Sequence, residues 1–126
     1  IDFLGQCGSE SLGPLPYSGT GGQADFVRSA NRSKGGKAFI VLPSTAKDNT
    51  ISRIVPTLTP GTHVSTSKND INYVVTEYGV AQLRGKSAKQ RTQALIGIAH
   101  PDFRGQLTEA AKKMNLLQPV RPRRDP

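Results

Sequence analysis

Two stretches of this sequence hold residues whose type and spacing could do chemistry. Gly19-Thr-Gly-Gly22 runs directly into Gln23-Ala-Asp-Phe26. Glycines just ahead of a helix let backbone N–H groups converge on an anion or a polarised carbonyl, helped by the helix dipole. A glycine-rich tight turn with no ligand would look the same, and spacing does not separate the two readings. The loop is not the phosphate cradle of nucleotide hydrolases, because no Gly-Lys-Ser/Thr follows. Nor is it the dinucleotide fingerprint, whose last glycine is missing after Gly19, Gly21 and Gly22. The second feature is Glu77, the only acidic residue between Asp70 and Asp102, placed directly after an apolar strand and just before Gly79. A carboxylate there can serve as acid, base or orienting group, according to burial and neighbours. Local sequence alone favours a plainer role, a solvated strand-end charge or an ion pair with Arg84.

The remaining reactive side chains exclude more than they suggest. His63 and His100 are too few and too far apart for a metal centre, and no His-Glu-x-x-His spacing occurs. His100-Pro-Asp102 reads as the close of one helix and the opening of the next. Cys7, the single cysteine, can form neither an intrachain disulfide nor a multi-cysteine zinc site; a thiol nucleophile pair with His63 or His100 has nothing in the spacing to place it, and Cys7 reads as a buried inert thiol. Ser18, Ser44 and Ser65 lie in no Gly-x-Ser-x-Gly elbow, so a serine hydrolase is not supported.

The elements that must position these residues alternate between short strands and helices. Eight of the thirteen glycines fall in the first 36 residues, which predicts loops around a short strand at Asp2 to Gln6. A short helix is predicted over Ala24 to Ala30. Lys37 to Leu42, closed by Pro43, is a continuous apolar run of buried-strand type. Further strands are predicted over Ile51 to Val55 and Ile71 to Thr76, the latter carrying Glu77 at its end, where open α/β sheets place ligands. Ser87 with Gln90 is a capping-box pattern that opens a helix running to about Ala99. A last helix follows from Asp102 or Arg104 to Leu116, with Phe103, Leu107, Ala110, Ala111 and Met114 on one stripe. This order predicts an α/β fold with a mostly parallel sheet.

The chain has 126 residues, enough for one domain or part of a larger protein, and a formal net charge of +8. No apolar run approaches the length of a membrane span, and no signal peptide is visible. With one cysteine, a reducing, cytoplasmic setting is expected. The positive charge is spread along the chain, apart from a local run at Arg84, Lys86, Lys89 and Arg91 and the proline-broken tail with Arg121, Arg123 and Arg124. The aromatics are scattered in apolar runs rather than interleaved with basic residues, so a nucleic-acid surface is a minority reading.

Taken together and in order, four segments resemble the C-terminal domain of the acetyl-CoA hydrolase/transferase family. They are Gly19-Thr-Gly-Gly-Gln-Ala-Asp-Phe-Val-Arg28, Leu42-Pro-Ser-Thr-Ala-Lys47, Tyr73-Val-Val-Thr-Glu-Tyr-Gly-Val-Ala-Gln-Leu-Arg-Gly85 and Ile98-Ala-His-Pro-Asp-Phe-Arg104. Within that family the likeness is to 4-hydroxybutyrate and butyryl-CoA:acetate CoA-transferases. It covers residues 1–117, leaving 118–126 as a flexible basic tail.

The resemblance implies the C-terminal part of the CoA-transferase (NagB/RpiA-like) fold, an open, mostly parallel sheet flanked by helices. It also implies chemistry through a glutamyl-CoA thioester, with coenzyme A as substrate and no metal. By motif position, Gly22 and Gly21 would offer N–H groups to an oxyanion, and Gln23 and Lys47 would contact CoA. Glu77 would support the reaction rather than attack, since the family's nucleophilic glutamate lies upstream. Residue 1 is Ile, not Met, and the chain is expected to lack that glutamate and the N-terminal domain, and so to be inactive alone. The expected partners are acyl-CoA, a small carboxylic acid, the N-terminal domain and a second copy in a homo-oligomer, with no membrane and no nucleic acid. The alternatives are an acetyl-CoA hydrolase of the same family and a non-catalytic basic module binding CoA or nucleic acid.

Overall fold

The computed structural model describes residues 1–118; of the tail expected at 118–126, residues 119–126 lie outside the described residues. In chain order the elements are β1 (Ser11–Leu12), β2 (Leu15–Pro16), α1 (Gln23–Arg32), β3 (Phe39–Val41), β4 (Thr45–Ala46) and β5 (Ile51–Ser52). After these come β6 (Tyr73–Thr76), β7 (Gly79–Gln82), α2 (Ala88–Gly97) and α3 (Pro101–Lys113). The β-branched run of β6 forms the centre of a three-stranded sheet of order β3-β6-β7. Val74 at its middle is fully buried. β3 runs parallel to β6 with Ile40 opposite Val74, whereas β7 is antiparallel, with Thr76 opposite Gly79. β1-β2 and β4-β5 are antiparallel hairpins.

The α/β class with an open sheet flanked by helices is as expected, but the balance of strand directions differs. Among the described residues one strand pairing of four is parallel. Two-residue strands joined by tight turns can only return antiparallel, and these account for most of the difference.

The predicted strand at Asp2 to Gln6 is instead a turn. The Asp2 carboxylate accepts from the N–H of Leu4 (3.0 Å) and of Gln6 (2.9 Å), and from Gln6 Nε2 (2.7 Å). A short acidic side chain that takes its own downstream N–H groups competes with ladder pairing, and here it wins. Only the flanks touch other strands, through bridges from Asp2 to Val55 and from Cys7 to Thr66. The predicted strand over Ile51 to Val55 shortens to Ile51–Ser52, because Ser52 Oγ bonds the carbonyl of Ile54 (2.7 Å) and bends the chain so that Ile54 enters the core.

β3 is the other departure. Its apolar run forms an edge strand with Phe39 51% and Val41 72% exposed, and only Ile40 turns towards the core. A continuous apolar strand needs a layer on both faces, and among the described residues one face of β3 has none.

The helices follow their local signals. Ser87 Oγ accepts from Gln90 N–H (3.3 Å) and Gln90 Oε1 accepts from Ser87 N–H (2.9 Å), closing the capping box of α2. Pro101 occupies the first turn of α3, where a missing N–H costs nothing, and His100 Nδ1 accepts from Asp102 N–H (3.2 Å). α2 packs on β7 and α3 on α2, burying Leu95, Leu107 and Ala111 in one core with Phe3, Ile71 and Leu83. Met114, expected on the buried stripe, is 41% exposed at the helix end. Arg91 of α2 ties in the loops, its guanidinium donating to the carbonyls of Leu4 (2.8 Å), Lys68 (2.7 Å) and Lys86 (3.2 Å).

Candidate active site

Parallel pairing of β3 with β6 brings the chain segments that leave their carboxyl ends side by side. Leu42 N–H continues the ladder to Val75 O (3.0 Å); Pro43 then turns the chain, and Ser44 meets Glu77. Ser44 is fully buried. Its N–H donates to Glu77 Oε2 at 2.9 Å and its hydroxyl to Oε1 at 2.5 Å, so each carboxylate oxygen has its own donor. The Ser44 hydroxyl above all, then backbone N–H groups and the nearby His100, hold the Glu77 carboxyl below its ordinary range. The sign follows: this contribution to stability is present above the unfolded value and is lost as pH falls through the lower folded one. The ion pair with Arg84 does not form among the described residues.

Around Glu77 stand groups from the start of α3. Tyr78 meets His100 edge-on with ring centres 5.5 Å apart, and the Arg104 guanidinium lies 5.5 Å from the Tyr78 ring centre. Thr76 Oγ1 donates to Ile98 O (2.6 Å), locking the end of β6 to the end of α2. Glu77 itself is an exposed residue at the sheet's carboxyl end, its carboxylate fixed against Ser44.

The glycine loop is an open turn at the start of α1. Gly21 has φ +60°, a left-handed conformation that suits glycine, and Gly22 caps α1 with no side chain bonded to the first-turn N–H groups. No neighbouring atom would come within 4 Å of a β-carbon at Gly19 or Gly21, so the loop is open on that side. Gln23 turns inward. Its Nε2 donates to Thr66 Oγ1 (2.8 Å) and lies 3.5 Å from Cys7 Sγ, anchoring the start of α1 to the Cys7–Thr66 bridge. Cys7 therefore keeps company with Gln23 and Ser9 rather than with a histidine.

Lys47 lies on the β4-β5 turn. Lys47, Asp48 and Asn49 have φ of +48°, +51° and +64°, three successive non-glycine residues in the left-handed region. The turn is held by Thr45 Oγ1 bonding Asn49 Oδ1 and by the N–H and Oγ1 of Thr50, which both donate to Lys47 O. Left-handed backbone costs an L-residue about 1–2 kcal/mol, less for Asp and Asn. The relief from Asp48→Gly is offset by the roughly 0.5–1 kcal/mol of extra chain entropy that glycine loses on folding, so the melting temperature is expected to stay within about 2 °C of the wild type in a thermal melt. A larger fall in Tm would mean that the Asp48 side chain holds the turn. The Lys47 ammonium has no hydrogen-bond or ion-pair partner among the described residues and points from an exposed position.

A cleft of about 460 Å³ opens between the N-terminal segment, α1 and β3, lined among others by Cys7, Tyr17, Gln23, Phe39, Val41 and Arg53. Of the predicted site residues only Gln23 lines it; Gly21, Gly22, Lys47 and Glu77 do not. Sequence reasoning missed Ser44 as the partner of Glu77. The available signal was that each follows the end of an apolar run, and parallel neighbours place such positions together.

The family model for the acetyl-CoA hydrolase/transferase C-terminal domain matches residues 1–111. The succinyl-CoA:cyclohexane-1-carboxylate CoA transferase of Geobacter metallireducens is 70% identical over 93% of this chain and 27% of its own length. The 4-hydroxybutyrate coenzyme A transferase of Clostridium kluyveri is 56% identical over 90% of this chain and 26% of its own. The crystal structure of RipA from Yersinia pestis superposes with a TM-score of 0.85 at 49% identity, covering 92% of this chain and 26% of that one. The chain thus spans about a quarter of the length of the curated relatives it matches.

Proposed function

The chain belongs to the acetyl-CoA hydrolase/transferase family, and we propose that it forms the C-terminal domain of an acyl-CoA:carboxylate CoA-transferase of the 4-hydroxybutyrate, butyrate or acetate type. In the proposed reaction a glutamate carboxylate from the preceding polypeptide attacks the acyl-CoA thioester carbon. The C–S bond breaks and CoA leaves as thiolate, giving a mixed anhydride. The thiolate then attacks the glutamyl carbonyl and expels the acyl group as its carboxylate, leaving a glutamyl-CoA thioester. The acceptor acid repeats these steps in reverse and frees the glutamate. Such a sequence needs donors for each oxyanion, a clamp for the CoA phosphates and shelter from water.

The observation that carries this reading is a carboxylate fixed by two donors at the carboxyl end of the sheet, within a chain whose residues 1–111 match the family model. In this reading Glu77 is a supporting carboxylate. The open N–H groups around Gly21 and Gly22 take the oxyanion, and Lys47 meets the CoA phosphates. Gln23, with Nε2 committed to Thr66, meets CoA through Oε1. The 126 residues alone turn over no acyl-CoA, and the working enzyme is a cytoplasmic homo-oligomer.

The test is to assay the full-length enzyme with butyryl-CoA and with succinyl-CoA, each with and without acetate, 4-hydroxybutyrate or cyclohexane-1-carboxylate. The last acid is included because a relative named for it is 70% identical. Thioester exchange that requires the acid is the expected result. Loss of acyl-CoA at the same rate without any added acid would replace the transferase by the family's hydrolase activity.

A further inference from the structure

Glu77 ends a strand on the surface, where a side chain with three rotatable bonds would ordinarily sample many orientations. It is instead held at both oxygens by one residue far away in sequence. We propose that Ser44 is a positioning residue for the reaction: its N–H and hydroxyl, one to each carboxylate oxygen, hold Glu77 in a single orientation at the carboxyl ends of β3 and β6. The inference rests on the transferase reading of this site.

Ser44 is built for that task. It is fully buried, it follows a proline, and its carbonyl accepts from Arg53 N–H at 2.8 Å, so its own backbone is fixed on both sides. Hydrogen bonds to an ionised acceptor are among the stronger ones, and a pair to the two oxygens also fixes the plane of the carboxylate. An ionised carboxylate has about four lone-pair sites, and the two bonds from Ser44 together with Glu77's own N–H do not fill them, so the carboxylate can still accept from outside. What Glu77 then presents to the site is acceptor capacity, not a proton. The lowered range of its carboxyl agrees with this.

A structural role is the competing explanation, since a buried hydroxyl needs a partner in any case. A double-mutant cycle in the full-length enzyme separates the two. Ser44→Ala is expected to lower kcat about 10-fold with the wild-type backbone and less than 2-fold when Glu77→Gln is already present. An equal loss in both backgrounds would overturn the proposal, because Ser44 would then act without Glu77.

Since the carboxyl is ionised near neutrality with or without Ser44, that loss at pH 7 reads orientation. The donors are read separately. The carbon-13 carboxyl resonance of Glu77, assigned by its absence in Glu77→Gln, should titrate at higher pH in Ser44→Ala than in the wild type, and an unchanged midpoint would also overturn the proposal. This titration needs no turnover. A wild-type enzyme that moves no CoA would therefore sink the transferase reading, while the Ser44–Glu77 pairing is still decided by the resonance.

Discussion

Glu77→Gln in the full-length enzyme is expected to lower kcat by about 10²-fold, the scale on which one preorganised electrostatic group is felt, with the melting temperature nearly unchanged. The fold should tolerate the change because the amide can take over both bonds. Its oxygen accepts the Ser44 N–H, and its NH₂ donates to the Ser44 hydroxyl, which reverses from donor to acceptor. What is lost is the charge and one acceptor oxygen. Glu77→Asp keeps the charge but is one methylene shorter and cannot reach both Ser44 donors from the same backbone position, so its rate should fall between those of wild type and Gln. An unchanged kcat in Glu77→Gln would return Glu77 to the role that local sequence favoured, a strand-end charge. A fall in kcat matched by a collapse in Tm would make the pair structural.

What could be read from sequence was decided by how far each signal reaches along the chain. Ser87 and Gln90 bond each other, so the start of α2 is written in four consecutive residues. The start of α3 is as local, with Pro101 in the first turn and His100 as cap. β7 was missed because its hairpin turns on Glu77-Tyr78 rather than on Asn-Gly, and only Gly79, at φ +140°, hints at a reversal. The β4-β5 hairpin was missed for a related reason. Its turn uses Lys47, Asp48 and Asn49 in left-handed backbone, where glycine would have been the readable sign.

The site was legible to the same extent. Gly21 and Gly22 carry their conformational meaning locally, and the structure gives them an open loop with an uncapped helix start. Glu77 could be placed at a strand end, but its partner could not, because Arg84 is near in sequence and Ser44 is not. The choice between them depended on β3 and β6 running parallel, a fact of topology. Gln23 shows the limit most clearly. Its contact with CoA is implied by the resemblance alone, and the bond from its Nε2 to Thr66, which fixes the helix it opens, joins residues 43 positions apart.

The N-terminal segment, misread as a strand, carries the largest expected effect on stability. Phe3 is fully buried in the core that also holds Ile71, Leu83 and Leu95. The turn made by Asp2 is what aims it there. A β-carbon at Gly5, in the same turn, would lie 2.9 Å from the side chains of both Ile71 and Leu83, so the backbone leaves little room for collapse around a void. Phe3→Ala should therefore cost about 3–5 kcal/mol, transfer and cavity terms together. Against a total stability of about 5–15 kcal/mol for an ordinary domain, the denaturant midpoint should drop steeply or the protein should fail to accumulate. A cost below about 1 kcal/mol, the scale of an average point substitution, would mean that the segment is not part of the core. Phe26→Ala is the matched control. Its ring is 78% exposed on α1, so in the 126-residue chain the loss should stay within about 0.5 kcal/mol. Should the same substitution cost far more in the full-length enzyme, the face of α1 that carries Phe26 is where the rest of the polypeptide is seated.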